Sequence, residues 1–132
     1  MELGEVQKAW IKSLRDHPER QTIHKLGEKI TGTDDYEACC LGEGLCVYNI
    51  INKLPLPFDK HGVIRSGIER LVLSEDYQKL GLYNSSGAFK GSIIYKGIDY
   101  FSLGHMNDSG VTWPEIADIM KQNSSLIFKE SV

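Results

Sequence analysis

No run of apolar residues in this 132-residue chain approaches the roughly 18 needed to cross a bilayer. The opening stretch, MELGEVQKAW, carries acids at Glu2 and Glu5 and has no apolar signal region. The expectation is a soluble intracellular protein that is not exported and does not use a membrane. Clustered basic residues are lacking too. Lys and Arg number 15 against 18 Asp and Glu, for a net charge of −3. Lys and Arg are scattered along the chain, and Arg65 and Arg70 have Glu69 between them. Binding to a phosphate backbone needs grouped cations, so nucleic acid is excluded as a partner. The same balance is too mild for an acidic mimic of DNA.

A disulfide framework is missing as well. The three cysteines, Cys39, Cys40 and Cys46, are odd in number and two are adjacent. On a helix, Cys39 and Cys46 would lie about 10 Å apart along the axis. That is too far for one disulfide or one tetrahedral zinc site. They are expected to be reduced and packed as small hydrophobes. No His-x-x-x-His or Cys-x-x-Cys occurs, and GTDDYEACCLGEG lacks the Gly-Lys-Ser/Thr end of a phosphate loop. No cofactor and no metal are expected.

What is present is ordinary globular material, 41% apolar and 25% charged. A chain of this length fits one domain, residues 1–132, with a core of its own. Val6, Trp10, Ile11 and Leu14 recur at helical spacing, which predicts a helix over 4–15 ended by Asp16-His17-Pro18. HKLGEKI reads as a short strand or a single turn. A second helix is predicted from a Thr33 cap, with Asp34 and Asp35 in its first turn and Pro55 as its stop. Gly42 and Gly44 inside it each cost about 1 kcal/mol relative to Ala, so another backbone element is expected to pack closely there. Ser74 caps a short helix in EDYQKLG, with Gly81 beyond its end. YNSSGAFKGSIIYKGIDYFSLG then reads as a hairpin or small meander, with turns near NSSG and at the two Lys-Gly pairs. Thr112 and Glu115 form a capping box for a last helix that Asn123 can end. SLIFK is expected to return as an edge strand or an apolar tail. The fold class is therefore α+β: three to four helices on a small antiparallel sheet built from residues 86–103, with 125–129 as a candidate extra strand. Free sheet edges make a homo-oligomer plausible.

Three segments are distinctive together: WIKSLRDHPERQ, with its Trp and Gln21; YEACCLGEGLCVY, with paired cysteines before Leu-Gly; and LGHMNDSGVTWPEIADIM, with an Asn-Asp-x-Gly turn. In this order and spacing, with LSEDYQKLGL between, the chain resembles a family of small proteins encoded by tailed bacteriophages and prophages. It departs from the usual pattern at Gly44 and in its short middle region. The resemblance implies a phage accessory protein acting in the host cytoplasm, in the setting of host–virus interaction and anti-defence. It brings no catalytic assignment.

The candidate chemistries gather at HMNDSG. One reading is binding: His105, Asn107, Asp108 and Ser109, beside Tyr95 and Trp113, would read a small nucleotide-like signalling molecule. A second is direct inhibition of a host or defence protein through the hairpin. A third is a cysteine hydrolase with Cys39 or Cys40 as nucleophile, His105 as base and Asn107 or Asp108 as orienter. That reading needs residues 103–107 extended, so that His105 and Asn107 share a side. It is opposed by a Thr33 cap, which leaves Cys39 beyond the first helical turn, where the dipole has faded. A metal site would need His105 and Asp108 with His17, His24 or His61. Against all of these stands a plain alternative: Asx-turn residues and Gly110 leading into a capped helix.

Overall fold

Trp10, Leu14, Leu41, Leu103, Met106, Trp113, Ile116 and Phe128 are completely buried, and they come from every part of the chain. The computed structural model describes residues 1–64 and 76–132. Its first helix, α1 (Glu5–Asp16), turns Val6, Trp10, Ile11 and Leu14 inward, as the spacing predicts. A 3-10 turn (Pro18–Arg20) follows. Strands β1 (Gly27–Lys29) and β2 (Tyr36–Ala38) pair antiparallel, with Glu28 opposite Glu37. Like charges in that position repel, and Lys25 offsets them by bonding both carboxylates.

Helix α2 (Cys40–Ile51) begins six residues later than predicted, with Cys39 rather than Thr33 as its N-cap. Thr33 caps no helix. Its hydroxyl donates to the Ile30 carbonyl and accepts from the Asp35 N–H, which closes the β1–β2 turn. Thr and Asp serve turns and helix caps by the same local bonds, so their presence does not choose between the two. The two glycines of α2 do mark close packing. A Cβ on Gly42 would strike the Leu26 carbonyl, and one on Gly44 would come within 2.8 Å of the Trp10 ring.

The short helix α3 (Asp76–Lys79) ends before Gly81, which has φ +71. Ser74 and the RSGIERLVL segment lie outside the described residues. Strands β3 (Ala88–Tyr95) and β4 (Ile98–Ser102) form the predicted hairpin. Lys96 and Gly97, at φ +50 and +80, make its two-residue turn. The other Lys-Gly pair makes a bulge in β3, with Gly91 at φ +105. Asn84 Oδ1 accepts from Ser86 and Ala88 N–H at the NSSG turn.

Residues Leu103–Asp108 form helix α4, capped by the Ser102 hydroxyl, which accepts from the His105 N–H. The extended path that would have put His105 and Asn107 on one side is therefore not taken. Helix α5 (Trp113–Gln122) starts at Thr112 with the predicted capping box and ends at Asn123. SLIFK does not extend the sheet. Ser124–Ile127 make one helical turn, α6, and Phe128 forms an isolated bridge to Leu82 while its ring packs against Trp10. The result is an α+β domain in which α1 packs on α2 and α5, with two separate two-stranded sheets at its borders. Among the described residues no helix is long and apolar enough to cross a membrane.

Candidate functional site

Asn107 lies at the centre of the molecule. Its Oδ1 accepts from the Cys40 N–H at 3.0 Å, the Trp113 Nε1–H at 3.0 Å and Gln21 Nε2 at 3.3 Å. Its Nδ2 donates to the Thr22 carbonyl at 2.7 Å. Gln21 also accepts from the Trp113 N–H and donates to the Val111 carbonyl, and Trp10 Nε1–H donates to the Cys40 carbonyl. The three distinctive segments of the sequence thus meet in one buried junction. Asn107 and Trp113, both expected among the ligand-binding residues, are fully enclosed. Their polar atoms join α2, α4, α5 and the 21–22 stretch.

The remaining polar residues of the turn part company. Asp108 accepts from the His24 N–H at 3.2 Å, with the His24 ring 3.8 Å from its other oxygen. The His105 ring lies outside, tilted against Tyr100 at 5.0 Å between centroids. Ser109 and Tyr95 do share a hollow of about 170 Å³ with Lys96, Tyr100 and Glu115. That volume is below the roughly 300–1,000 Å³ typical of small-molecule sites.

The cysteine reading meets a physical obstacle. Cys39 occupies the N-cap of α2, a position that favours a thiolate, and the N–H groups of Gly42 and Leu41 do pull its pKa down. Burial outweighs them and pushes the thiol up to about 11. Burial likewise raises Cys46 to about 12 and Cys40 well above its usual value. The Cys40 sulfur donates to the Leu103 carbonyl at 3.6 Å, so His105 is not its partner. All three thiols are buried and free. Among the described residues no three His, Cys, Asp or Glu side chains gather closely enough to hold a metal ion.

Two features escaped the sequence reading. The first is Glu43, completely buried in α2. It accepts from the Tyr36 hydroxyl and from Ser13 Oγ at 3.0 Å, and Arg20 Nη1 lies 3.5 Å away. The Arg20 guanidinium covers the Tyr36 ring at 4.6 Å. Burial is the main cause of the raised Tyr36 pKa, so its hydroxyl stays a donor. The signal was a lone acid in an otherwise apolar helix, CLGEGLCVY. The network ties α1, the 3-10 turn, β2 and α2 together around the enclosed Glu43, with Arg20 and Ser13 partly exposed at its margin.

The second feature is a cleft of about 590 Å³ between the hairpin and the α5–α6 end. Ser92 to Tyr95 of β3 form one wall. Glu115, Asp118, Ile119 and Gln122 of α5, with Asn123 and Leu126, form the other. The Tyr95 hydroxyl donates to Glu115, and Lys96 Nζ lies 3.0 Å from the same carboxylate. The bonds from Tyr95, Thr112 and Lys96 lower the Glu115 pKa to about 2, so this carboxylate is charged at neutral pH. Asp118 accepts from Arg15 at 2.7 Å. The hairpin also exposes three large apolar side chains: Ile94, which lines the cleft, at 74%, and Ile98 and Phe101, outside it, at 53% and 58%. No family model matches this chain, and neither does any curated protein or solved structure.

Proposed function

We propose that this protein acts by binding another protein through its hairpin, as an accessory inhibitor in the host cytoplasm. One observation carries the reading. Ile94 and Phe101 stand exposed on one face of the hairpin, on either side of Asp99, with Ile98 exposed at its turn; isolated large apolar residues would need no explanation, but neighbouring ones on one face mark an interaction surface. The phage role is supported by the sequence resemblance and by nothing else. Binding rather than chemistry is supported by the thiols, which are buried and held protonated. The test is a photo-crosslinking residue placed at the exposed Asp99, between Ile94 and Phe101 on the same face, and exposed to bacterial host lysate. One stoichiometric partner is expected, and it should be lost in the double variant Ile94→Lys, Phe101→Lys. That variant should melt as the wild type does, because exposed substitutions stay within about 0.5 kcal/mol. An unchanged crosslinking pattern would sink the proposal.

A second reading, sequestration of a small nucleotide-like molecule, has its own support. The cleft volume is within the small-molecule range. Tyr95 offers a ring, and Glu115 and Asp118 are carboxylates of the kind that read ribose hydroxyls. Native mass spectrometry after incubation with cyclic nucleotides and ADP-ribose derivatives separates the two readings. An intact, stoichiometric ligand that disappears in Tyr95→Ala would favour the small molecule.

A further inference from the structure

The hairpin register fixes which backbone groups of β3 are already used. The two-residue Lys96–Gly97 turn makes Tyr95 and Ile98 a hydrogen-bonded pair. Pair types alternate along an antiparallel ladder, so Ile94 and Asp99 form the non-bonded pair and Ile93 and Tyr100 the next bonded one. The N–H and C=O of Ile94 therefore point away from β4. The cleft lies on that side, because β3 lines it and no residue of β4 does. A strand edge faces a helix across an open cleft, which is the arrangement by which sheets accept an added strand.

The opposite wall has a definite charge. Glu115 and Asp118, three residues apart, share one face of α5. Each already holds a cation, Lys96 at 3.0 Å and Arg15 at 2.7 Å. Those cations reach in from the rim on exposed side chains, so an incoming ammonium or guanidinium can replace them. Ile119 and Leu126 provide apolar wall beside the carboxylates.

Building on the protein-binding reading above, we infer that the cleft takes an extended segment of the partner as a third strand on β3. A Lys or Arg of that segment reaches Glu115 and Asp118. An aliphatic side chain two residues along, on the same side of the added strand, meets Ile119 and Leu126. Backbone bonds at Ile94 supply adhesion that is indifferent to sequence, and the two carboxylates supply the selectivity.

The probe is a randomised octapeptide library displayed on yeast, selected on the full-length protein and counter-selected on Asp118→Lys. Asp118 is exposed and outside the core, so this variant keeps the fold. Enriched octapeptides should carry Lys or Arg with an aliphatic residue two positions away. They should lose roughly tenfold in affinity for Asp118→Lys, and a further loss of roughly tenfold should follow N-methylation of the amides that face Ile94. Hydrogen exchange at the Ile94 amide should slow on binding. A selection that yields nothing beyond Asp118→Lys overturns strand addition. So do enriched peptides that tolerate N-methylation, and so does a free protein that self-associates with its Ile94 amide already protected. If crosslinking still finds a hairpin-dependent partner while the library yields nothing, strand addition falls and the protein-binding reading stands. If the library succeeds and no partner depends on Ile94 and Phe101, the exposed hairpin face is removed from the account and the cleft remains.

Discussion

Asn107→Ala is the substitution that best separates a binding residue from a scaffold residue. It deletes the acceptor shared by the Cys40 N–H, the Trp113 Nε1–H and Gln21. Gln21 keeps its bond to the Val111 carbonyl, but the other two donors are buried and have no second acceptor among the described residues. A buried donor left without a partner costs about 1–3 kcal/mol, so the pair costs about 2–6 kcal/mol. The Thr22 carbonyl loses its donor as well. Against the roughly 5–15 kcal/mol of stability typical of a domain, that is a large fraction. With a urea m-value of about 2 kcal/mol per molar, the midpoint should drop by about 2 M. Urea unfolding followed by tryptophan fluorescence reports it directly, since Trp113 is one of the orphaned partners. Asn107→Asp keeps an acceptor but sets an oxygen against the Thr22 carbonyl, and it should fall between the two. An unfolding free energy within about 0.5 kcal/mol of wild type, combined with loss of partner binding, would overturn this account and make Asn107 a binding residue.

Three further outcomes are expected. Removing Arg20 strands the buried Glu43 carboxylate and should cost about 3–5 kcal/mol, whereas Glu43→Leu should cost less, because Arg20 reaches water; urea midpoints of the two variants test this order. Glu115 has its pKa depressed in the folded state, from 4.5 to about 2, chiefly by the Tyr95 hydrogen bond. Its contribution is complete above pH 4.5 and is lost as pH falls toward 2, so the acid-side fall in melting temperature should be shallower in Glu115→Gln across that window. The three buried thiols should resist Ellman's reagent at neutral pH and react fully in denaturant; fast labelling of Cys39 in the folded protein would reopen the nucleophile reading.

Local chemistry made much of this fold legible. The apolar spacing of α1, the Thr112–Glu115 capping box and the Lys96–Gly97 hairpin turn are each written in a few neighbouring residues, and each appears where it was expected. The demand of Gly42 and Gly44 for a close neighbour was readable as well, though the neighbours themselves, the Leu26 carbonyl and the Trp10 ring, were not. Where local signals serve two structures, the sequence reading chose wrongly. Thr33 and the two aspartates suit a turn as well as a cap, and α2 starts at Cys40. SLIFK, which suited an edge strand or an apolar tail, coils into α6, and the extended path that the cysteine-hydrolase reading required at 103–107 is a helix capped by Ser102.

The site divides along the same line. Residue order alone shows which types stand together along the chain: Asn107 and Asp108 before a capped helix, paired cysteines before Leu-Gly, a hairpin rich in Ile, Tyr and Phe. Folding then settles which of their polar atoms remain available. It consumed Asn107 in four hydrogen bonds that join residues up to 86 positions apart. It buried Glu43, which composition alone would place in water. It left the edge of β3 open opposite Glu115 and Asp118. Hydrogen-bond capacity and burial are settled by contacts between distant segments, and a residue's type records what it can bond, not what the fold has already given it to bond.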